Sequence, residues 1–192
     1  CMRCGRPLRG PPDLVFTCVP CRRRRLYFSQ ARAVGIYDGT LRDAVHALKF
    51  RGRAALSEPL GLLMAAAAQA DPVARVCDVI VPVPLHPHRQ AARGFNQSEL
   101  LARKIATALG RPLDVQVLRR TRDTPEQVGL PRADRKRNVR AAFAAATLMA
   151  ERILLVDDVL STGFTAASCA QALRAAGAHE VAVLALARAV LD

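Results

Sequence analysis

The stretch from Ile153 to Thr165 reads ILLVDDVLSTGFT, and it decides how the rest of the sequence is interpreted. Its four apolar residues, Ile153 to Val156, predict a buried strand. Two adjacent carboxylates, Asp157 and Asp158, are expected where that strand ends. A turn rich in hydroxyl groups, Ser161 to Thr165, comes next, and an Ala-rich helix is expected after it. The stretch therefore predicts a strand–turn–helix unit of an α/β sheet.

This unit predicts a binding site for a sugar 5-phosphate. Ligands of open α/β sheets bind outside the carboxyl ends of the strands, and helix N-termini attract phosphate. Backbone N–H groups of the turn can surround a phosphomonoester, and a glycine permits its close approach. The carboxylates of Asp157 and Asp158 can accept hydrogen bonds from vicinal sugar hydroxyls. The candidate phosphate-binding residues are Ser161, Thr162, Gly163, Phe164 and Thr165.

The alternative to a ligand site is a buried strand followed by a solvated Asp-Asp turn. Two other phosphate-binding motifs are excluded by the sequence. A Walker A loop is excluded because no Lys follows Gly163, and a dinucleotide-binding fingerprint is excluded because the chain has no G-x-G-x-x-G.

Length, charge and hydropathy limit the class of protein. The chain has 192 residues, enough for one α/β domain with a small appendage, and a net charge of +13. Residues 1–53 hold 12 basic and 3 acidic side chains, which favours polyanions or phosphorylated ligands unless these charges only solvate the surface. The sequence shows neither a signal peptide nor an apolar run of the ~18 to 20 residues that span a membrane.

Four of the six cysteines form two pairs, Cys1-x2-Cys4 and Cys18-x2-Cys21, separated by 13 residues. Two such pairs suit a tetrahedral structural Zn²⁺ site with four sulfur ligands. Disulfides are disfavoured in a chain without a secretion signal, and unliganded thiols are the remaining alternative. Residues 1–26 are thus predicted to be a metal-organised module, too small to fold on its own core.

The remainder, residues 27–192, alternates strand and helix patterns, which predicts a parallel sheet flanked by helices. Asn96-x-x-Glu99 resembles a helix capping box, and Gly110 is expected to end that helix. The predicted strands are Ala33 to Tyr37, Asp78 to Val83, Leu113 to Leu118, Ile153 to Val156 and Val181 to Ala187. The predicted helices are Thr40 to Phe50, Glu58 to Gln69, Asn96 to Leu109 and Thr165 to Ala176.

Two further segments are candidates for contacts with anions. One lies between a predicted strand end and a helix N-terminus, and its candidate pyrophosphate-binding residues are Pro84, Leu85, His86, Arg89 and Arg93. The other is the polar segment Arg119 to Asn138, whose length inside a compact domain is typical of a lid. Its candidate ligand-contacting residues are Arg120, Arg122, Thr124, Gln127 and Arg137. The alternative for the first segment is a loop shaped by its prolines with solvated arginines, and the alternative for the second is a standing surface for contact with DNA.

The sequence resembles known proteins both in a single motif and over nearly its whole length. The Asp-Asp stretch and its hydroxyl turn resemble the PRPP-binding motif of type I phosphoribosyltransferases (PRPP is phosphoribosyl pyrophosphate). Over nearly the whole chain, in order, the sequence resembles the ComF/GntX family of competence-associated, phosphoribosyltransferase-like proteins. The motifs are the two Cys pairs, Leu48-Lys49-Phe50-Arg51-Gly52, Val81-Pro82-Val83-Pro84-Leu85-His86, Arg93-Gly94-Phe95-Asn96-Gln97-Ser98, Thr124-Pro125-x-Gln127, Arg137-Asn138 and the Asp-Asp stretch.

The resemblance implies a zinc-ribbon module joined to a type I phosphoribosyltransferase domain, and it implies a cytoplasmic role in DNA uptake during natural transformation. It implies PRPP, incoming single-stranded DNA and the helicase machinery of DNA uptake as partners. Members often carry a further Cys pair upstream of the position of Cys1, so the sequence makes no prediction about a second zinc site.

Two functions follow. In the first, the protein is an enzyme: Asp157 and Asp158 hold the ribose of Mg²⁺-bound PRPP, and a nitrogen nucleophile displaces pyrophosphate. In the second, the protein binds single-stranded DNA through its basic module and uses PRPP only as a ligand. Aromatic side chains for base stacking are few, namely Phe16, Tyr27, Phe28 and Tyr37, so phosphate contacts would dominate. The sequence does not identify the acceptor.

Overall fold

A computed structural model describes residues 1–8, 16–122 and 142–190 of the chain. The strands are β1 Ala31–Ile36, β2 Val79–Pro82, β3 Leu118–Arg120, β4 Phe143–Ala145, β5 Arg152–Leu160 and β6 Glu180–Arg188. The helices are α1 Val19–Arg22, α2 Gly39–Phe50, α3 Ser57–Ala70, α4 Pro72–Arg75, α5 Pro87–Arg93, α6 Gln97–Leu109 and α7 Phe164–Ala175, with a 3₁₀ turn at Ala54–Leu56.

Four strands form a parallel sheet in the order β1-β6-β5-β2. The pairing of β5 with β6 runs from Arg152–Glu180 to Leu160–Arg188, whereas the pairing of β5 with β2 stops at Pro82–Val156. Proline has no N–H to donate, so it is suited to the end of a strand pair. The last residues of β5 therefore extend beyond β2, and this step in the sheet leaves one side of β5 open to other elements.

Both faces of β5 and β6 are buried, which accounts for the long apolar runs in these two strands. Alternate residues such as Ile153 and Leu155 face a cluster that includes α7, and the intervening Leu154 and Val156 face a cluster that includes α2, α3 and α6. The predicted class, a parallel sheet flanked by helices, is confirmed.

The cysteine module packs on the same face as α7. Cys4, Cys18 and Cys21 are buried in one cluster with residues of β5 and β6. The N–H of Ala31 at the start of β1 donates to the carbonyl of Arg3 at 2.8 Å, which ties the module to the sheet edge. The division of the chain at residue 26 stays a prediction.

Most predicted elements are found within one or two residues, and α6 shows why. The Asn96 side chain accepts a hydrogen bond from the N–H of Ser98 at 3.0 Å, and Gly110 adopts the left-handed conformation that ends the helix. Glu99 pairs with Arg103 one turn later.

Two predicted strands need correction. The segment Leu113 to Leu118 is not a continuous strand: Leu113 makes one isolated bridge to Ile80, and β3 begins only at Leu118. The Asp114 side chain accepts from the N–H groups of Gln116 and Val117, which bends the chain between these points. The second strand is β5, which runs through the acidic pair to Leu160, because its pairing with β6 continues there.

None of the helices in the described ranges combines the length and apolarity needed to cross a membrane.

Candidate ligand site and metal centre

Asp157 and Asp158 lie inside β5, on the part of the strand that extends beyond β2, and both are buried. Adjacent side chains of a strand point in different directions, so the two carboxylates have different partners. Asp157 Oδ1 accepts from the Ser98 hydroxyl at 3.3 Å and from the backbone N–H of Asp158 at 2.9 Å. Asp158 Oδ2 lies 2.8 Å from Lys49 Nζ.

The electrostatics of the pair favour an unusual protonation state. Burial, together with the negative charge of Asp158, raises the pKa of Asp157 to about 7, although the positive charge of Lys49 opposes this shift. Burial alone lowers the pKa of the Lys49 ammonium, but the charges of Asp158 and Asp157 raise it overall. The site thus holds a fixed cation and a carboxyl that titrates near neutral pH.

One oxygen of this site keeps unused hydrogen-bonding capacity. Asp158 Oδ2 is paired with the Lys49 ammonium, and a carboxylate oxygen can accept a second hydrogen bond beside that one. A sugar hydroxyl is a donor that suits a carboxylate oxygen.

The hydroxyl turn after β5 has the shape of an anion cradle. Gly163 has a φ of 79°, and a Cβ added there would meet no atom within 4 Å, so the backbone is open to a ligand. Phe164 begins α7, whose first N–H groups lack partners within the helix. The Thr162 hydroxyl is buried and has no hydrogen-bond partner in the described part of the chain. Ser161 and Thr165 are both half-buried beside it.

The second anion segment contains a helix that the sequence did not predict, α5. His86 is its N-cap, with Nδ1 accepting from the N–H of His88 at 3.4 Å, and Gly94 ends it with a φ of 84°. Pro84 and Leu85 are half-buried in the connection from β2 to α5, and Arg89 is half-buried on α5.

Arg93 and Asn96 connect this segment to the elements that carry Lys49 and Ser98. The Arg93 guanidinium donates to Gln97 and lies 5.6 Å from the centre of the Phe50 ring, next to Lys49 in α2. The Asn96 amide donates to the carbonyl of Val83 at 3.1 Å, which holds the start of α6 against the end of β2. This contact places Ser98 beside the acidic pair.

The predicted lid is only partly described. Arg120 is the last residue of β3, its guanidinium lies 5.6 Å from the centre of the Phe143 ring, and Arg122 is exposed two residues later. Thr124, Gln127 and Arg137 lie outside the described residues.

The four predicted cysteine ligands come together. The sulfur atoms of Cys1, Cys4, Cys18 and Cys21 all lie within 4.8 Å of one another, and all six cysteines of the chain are free thiols. The Cys4–Cys18 sulfur distance is 3.8 Å, which matches the ~3.8 Å edge of a tetrahedron with Zn–S bonds of about 2.3 Å. The backbone N–H of Cys18 donates to Cys1 Sγ at 3.3 Å. These residues fit a metal ion such as zinc.

Three side chains at these sites were not chosen as site residues from the sequence, namely Lys49, Ser98 and Arg188. Lys49 and Ser98 occur in family motifs, and that was their only signal. No sequence signal marks Arg188, which follows the apolar residues of β6. Its burial, at 3% exposure, is visible only in the structure.

Comparison with known proteins identifies relatives of the whole chain, although no protein-family model matches it. The DNA utilization protein YhgH of Salmonella typhi is 36% identical over 195 residues, which cover 98% of this chain and 83% of that protein. The protein of the same name from Escherichia coli K12 is 33% identical over 192 residues, with the same coverage. Competence protein F of Haemophilus influenzae is 31% identical over 196 residues, covering 98% and 84% of the two chains.

Among solved structures, the glutamine PRPP amidotransferase of B. subtilis, complexed with ADP and GMP, matches 68% of this chain and 26% of its own. Its identity is 27% and its TM-score 0.47. The protein TT1426 from Thermus thermophilus matches 66% of this chain and 71% of its own at 20% identity and a TM-score of 0.36. Both likenesses are partial. The sequence relatives, each more than 30% identical over nearly the full length, show that this chain belongs to the ComF/GntX family, with the DNA utilization protein YhgH and competence protein F.

Proposed function

We propose that the protein binds PRPP with Mg²⁺ and acts as a phosphoribosyltransferase in the use or uptake of DNA. The observation that carries the binding site is the buried Thr162 hydroxyl, which has no hydrogen-bond partner among the described residues and precedes the open backbone of Gly163. The names of the relatives support the connection with DNA.

The residues have distinct roles in this proposal. The turn from Ser161 to Thr165 receives the 5-phosphate with backbone N–H groups and hydroxyls, and the N-terminus of α7 adds a favourable dipole. Asp157 and Asp158 accept hydrogen bonds from the ribose hydroxyls. Their carboxylates are also oxygen ligands of the type that Mg²⁺ prefers, and the ion supplies positive charge that stabilises the leaving pyrophosphate.

Arg93 and Lys49 supply the protein's own cations. A nitrogen nucleophile attacks C1 of the ribose as the bond from C1 to pyrophosphate breaks, and negative charge develops on the leaving group. Arg93, at the end of α5 and bonded to Gln97 of α6, is the cation that would stabilise that charge. The lid and the cytoplasmic location remain predictions.

Calorimetry with Mg²⁺ and PRPP tests the binding site. The double variant Asp157→Asn with Asp158→Asn should bind PRPP at least tenfold more weakly, because amides are weaker acceptors for sugar hydroxyls. Asp43→Asn is the control, because Asp43 is an exposed carboxylate whose ion pair is with Arg42 on the same helix. Equal affinity of the double variant and the wild type would refute the proposed site.

The second candidate is a protein that binds single-stranded DNA and has no transferase activity. It is favoured by the exposure of Arg22, Arg23 and Arg25 on the module and by that of Phe16, whose side chain is 44% exposed. One base-stacking candidate is removed, because Phe28 is buried in the core at 2% exposure. Release of pyrophosphate from PRPP across a panel of nucleobase and amine acceptors distinguishes the enzyme from the binding protein.

A further inference from the structure

Arg188 links the phosphate-binding turn to the cysteine cluster. Its Nη1 donates to the carbonyl of Leu160 at 2.7 Å and to that of Ser161, the last residue of β5 and the first of the turn. Its Nη2 lies 3.9 Å from Cys4 Sγ, within the limit for a hydrogen bond to sulfur. One guanidinium group therefore touches both candidate sites.

The position of Arg188 in the sheet makes this link rigid. Arg188 is the last residue of β6 and pairs with Leu160 of β5. Its carbonyl accepts from the N–H of Tyr37, so the backbone is held on its other side as well. A second interaction joins the same two regions: the Arg24 guanidinium of the module lies 4.7 Å from the centre of the Phe164 ring, at the start of α7.

A buried guanidinium requires a negative partner, because an unpaired charge is poorly stabilised away from water. In the described part of the chain, no carboxylate lies within ion-pair distance of Arg188, and the sulfur of Cys4 is the partner that remains. A cysteine sulfur bound to a metal is a thiolate and carries negative charge. Occupancy of the metal site therefore strengthens the contact that holds Arg188, and Arg188 holds the two carbonyls that precede Thr162 and Gly163.

We propose that Arg188 is a positioning residue that couples metal occupancy of the four-cysteine cluster to the conformation of the phosphate-binding turn. The metal-loaded protein has an ordered turn with high affinity for a phosphorylated sugar, and removal of the metal loosens the turn and weakens that affinity. This inference rests on the proposed function only where affinity for PRPP is the measurement.

Hydrogen exchange tests the coupling without any ligand. In wild-type protein, removal of zinc should increase the exchange rates of the amides in residues 161–166 several-fold. The amides of α3, on the opposite face of the sheet, report whether the whole domain has opened. Their exchange rates should not change when zinc is removed. Equal exchange of the turn with and without zinc would overturn the proposal, and so would an increase in α3 as large as that in the turn.

Variants of Arg188 separate a specific coupling from general weakening. In Arg188→Gln, the turn should already exchange fast in the zinc-loaded protein, and removal of zinc should change it less than twofold. Arg188→Lys keeps the charge but not the planar fork that reaches carbonyl and sulfur together, so it should restore the zinc effect only in part. Arg152→Gln is the control with the same change in charge, since Arg152 is half-exposed at the start of β5.

A measurement on wild-type protein alone covers the case in which Arg188 variants do not fold. If metal and PRPP are coupled, each must raise the affinity for the other by the same factor, and we expect roughly tenfold. Competition with a chelator measures zinc affinity with and without saturating PRPP. Unchanged zinc affinity in protein that binds PRPP by calorimetry would refute the coupling, whereas failure to bind PRPP at all would refute the proposed function and leave the hydrogen-exchange test intact.

Discussion

Asp157 connects the site to pH, because its carboxyl is buried beside a second carboxylate. Its pKa of about 7 in the folded protein compares with 3.8 in an unfolded chain. Between about pH 4 and 7, the folded state therefore holds a proton that the unfolded state has released. The free energy of unfolding must then fall as pH rises through this window, and the contribution of Asp157 is largest at the acidic end.

Asp157→Asn should remove this dependence. We expect the wild type to lose stability relative to the variant as pH rises from 5 to 8, by at most about 3 kcal/mol. Urea unfolding of both proteins at several pH values measures the difference. The difference reports the carboxyl of Asp157 together with its effect on Asp158 and Lys49, and a difference that does not change with pH would contradict the raised pKa.

Lys49 is the counter-charge of the buried Asp158, so its removal should be costly. Lys49→Met leaves an unpaired carboxylate in the interior and should lower the free energy of unfolding by roughly 3 kcal/mol at pH 7. Adding Asp158→Asn to Lys49→Met should recover much of that stability, because no unpaired charge remains. A double-mutant cycle by urea unfolding measures the coupling, and additive effects would show that the ion pair is not stabilising.

The sequence predicted the acidic pair and the hydroxyl turn, but not the partners of these residues. The Ser98–Asp157 contact spans 59 residues and the Arg188–Cys4 contact spans 184. Such pairings depend on the order of strands in the sheet, which periodicity within a segment does not reveal. The cysteines were predictable because their spacing alone limits the geometry of a metal site.

At the scale of elements, the turn after β5 depends on Gly163. Its φ of 79° lies in the left-handed region, where an alanine costs about 1 kcal/mol, and an added methyl group would occupy the open space in front of the backbone. Gly163→Ala should therefore lower stability only by about that amount.

The same variant should weaken PRPP binding far more than tenfold, because the methyl group and the phosphate compete for one space. Gly110→Ala is the matched control: Gly110 is also left-handed, with a φ of 61° and open space around it, but it ends α6. Calorimetry on both variants compares them. If both lose PRPP affinity equally, the effect is one of backbone strain and the turn is not the phosphate site.

The bounds of a helix or strand are predictable where local sequence signals determine them. They are less predictable where pairing with a distant strand determines them. The capped helix α6 was found from Asn96 and Gly110. The length of β5 was underestimated, because its pairing with β6 carries the strand through two carboxylates that in isolation favour a turn. The short helix α5 was missed because the two prolines and two histidines before Arg89 are typical of a loop.

At the scale of the molecule, the four-cysteine cluster and the sheet share one apolar core, so the metal should support more than its own module. We expect about one equivalent of zinc per chain. Cys21→Ser should abolish zinc binding and lower the melting temperature, whereas Cys77→Ser, at a buried cysteine outside the cluster, should keep the zinc. Metal analysis of anaerobically purified protein measures the zinc content of each variant. Zinc retained in Cys21→Ser would exclude four-sulfur coordination.

The shared core also determines how DNA binding should be tested. Deletion of residues 1–26 would uncover the apolar face on which Cys4, Cys18 and Cys21 pack, and weaker binding would then reflect misfolding. Substitution of exposed charges leaves that face intact. Arg22 and Arg23 are exposed on the module. Arg103 and Arg152 have side chains about half-exposed elsewhere and serve as controls with the same change in charge.

Arg22→Gln with Arg23→Gln should weaken binding of single-stranded DNA and reduce the slope of log K against log salt by roughly 0.7 for each phosphate that the protein no longer neutralises. Arg103→Gln with Arg152→Gln should change both quantities much less, because the excess of positive charge lies in residues 1–53. Fluorescence anisotropy over a series of salt concentrations measures the slopes. PRPP affinity should be similar in the two double variants, since none of the four side chains lies in the proposed PRPP site. If both pairs reduce the slope equally, DNA responds to the net charge of +13 and the module is not its binding surface.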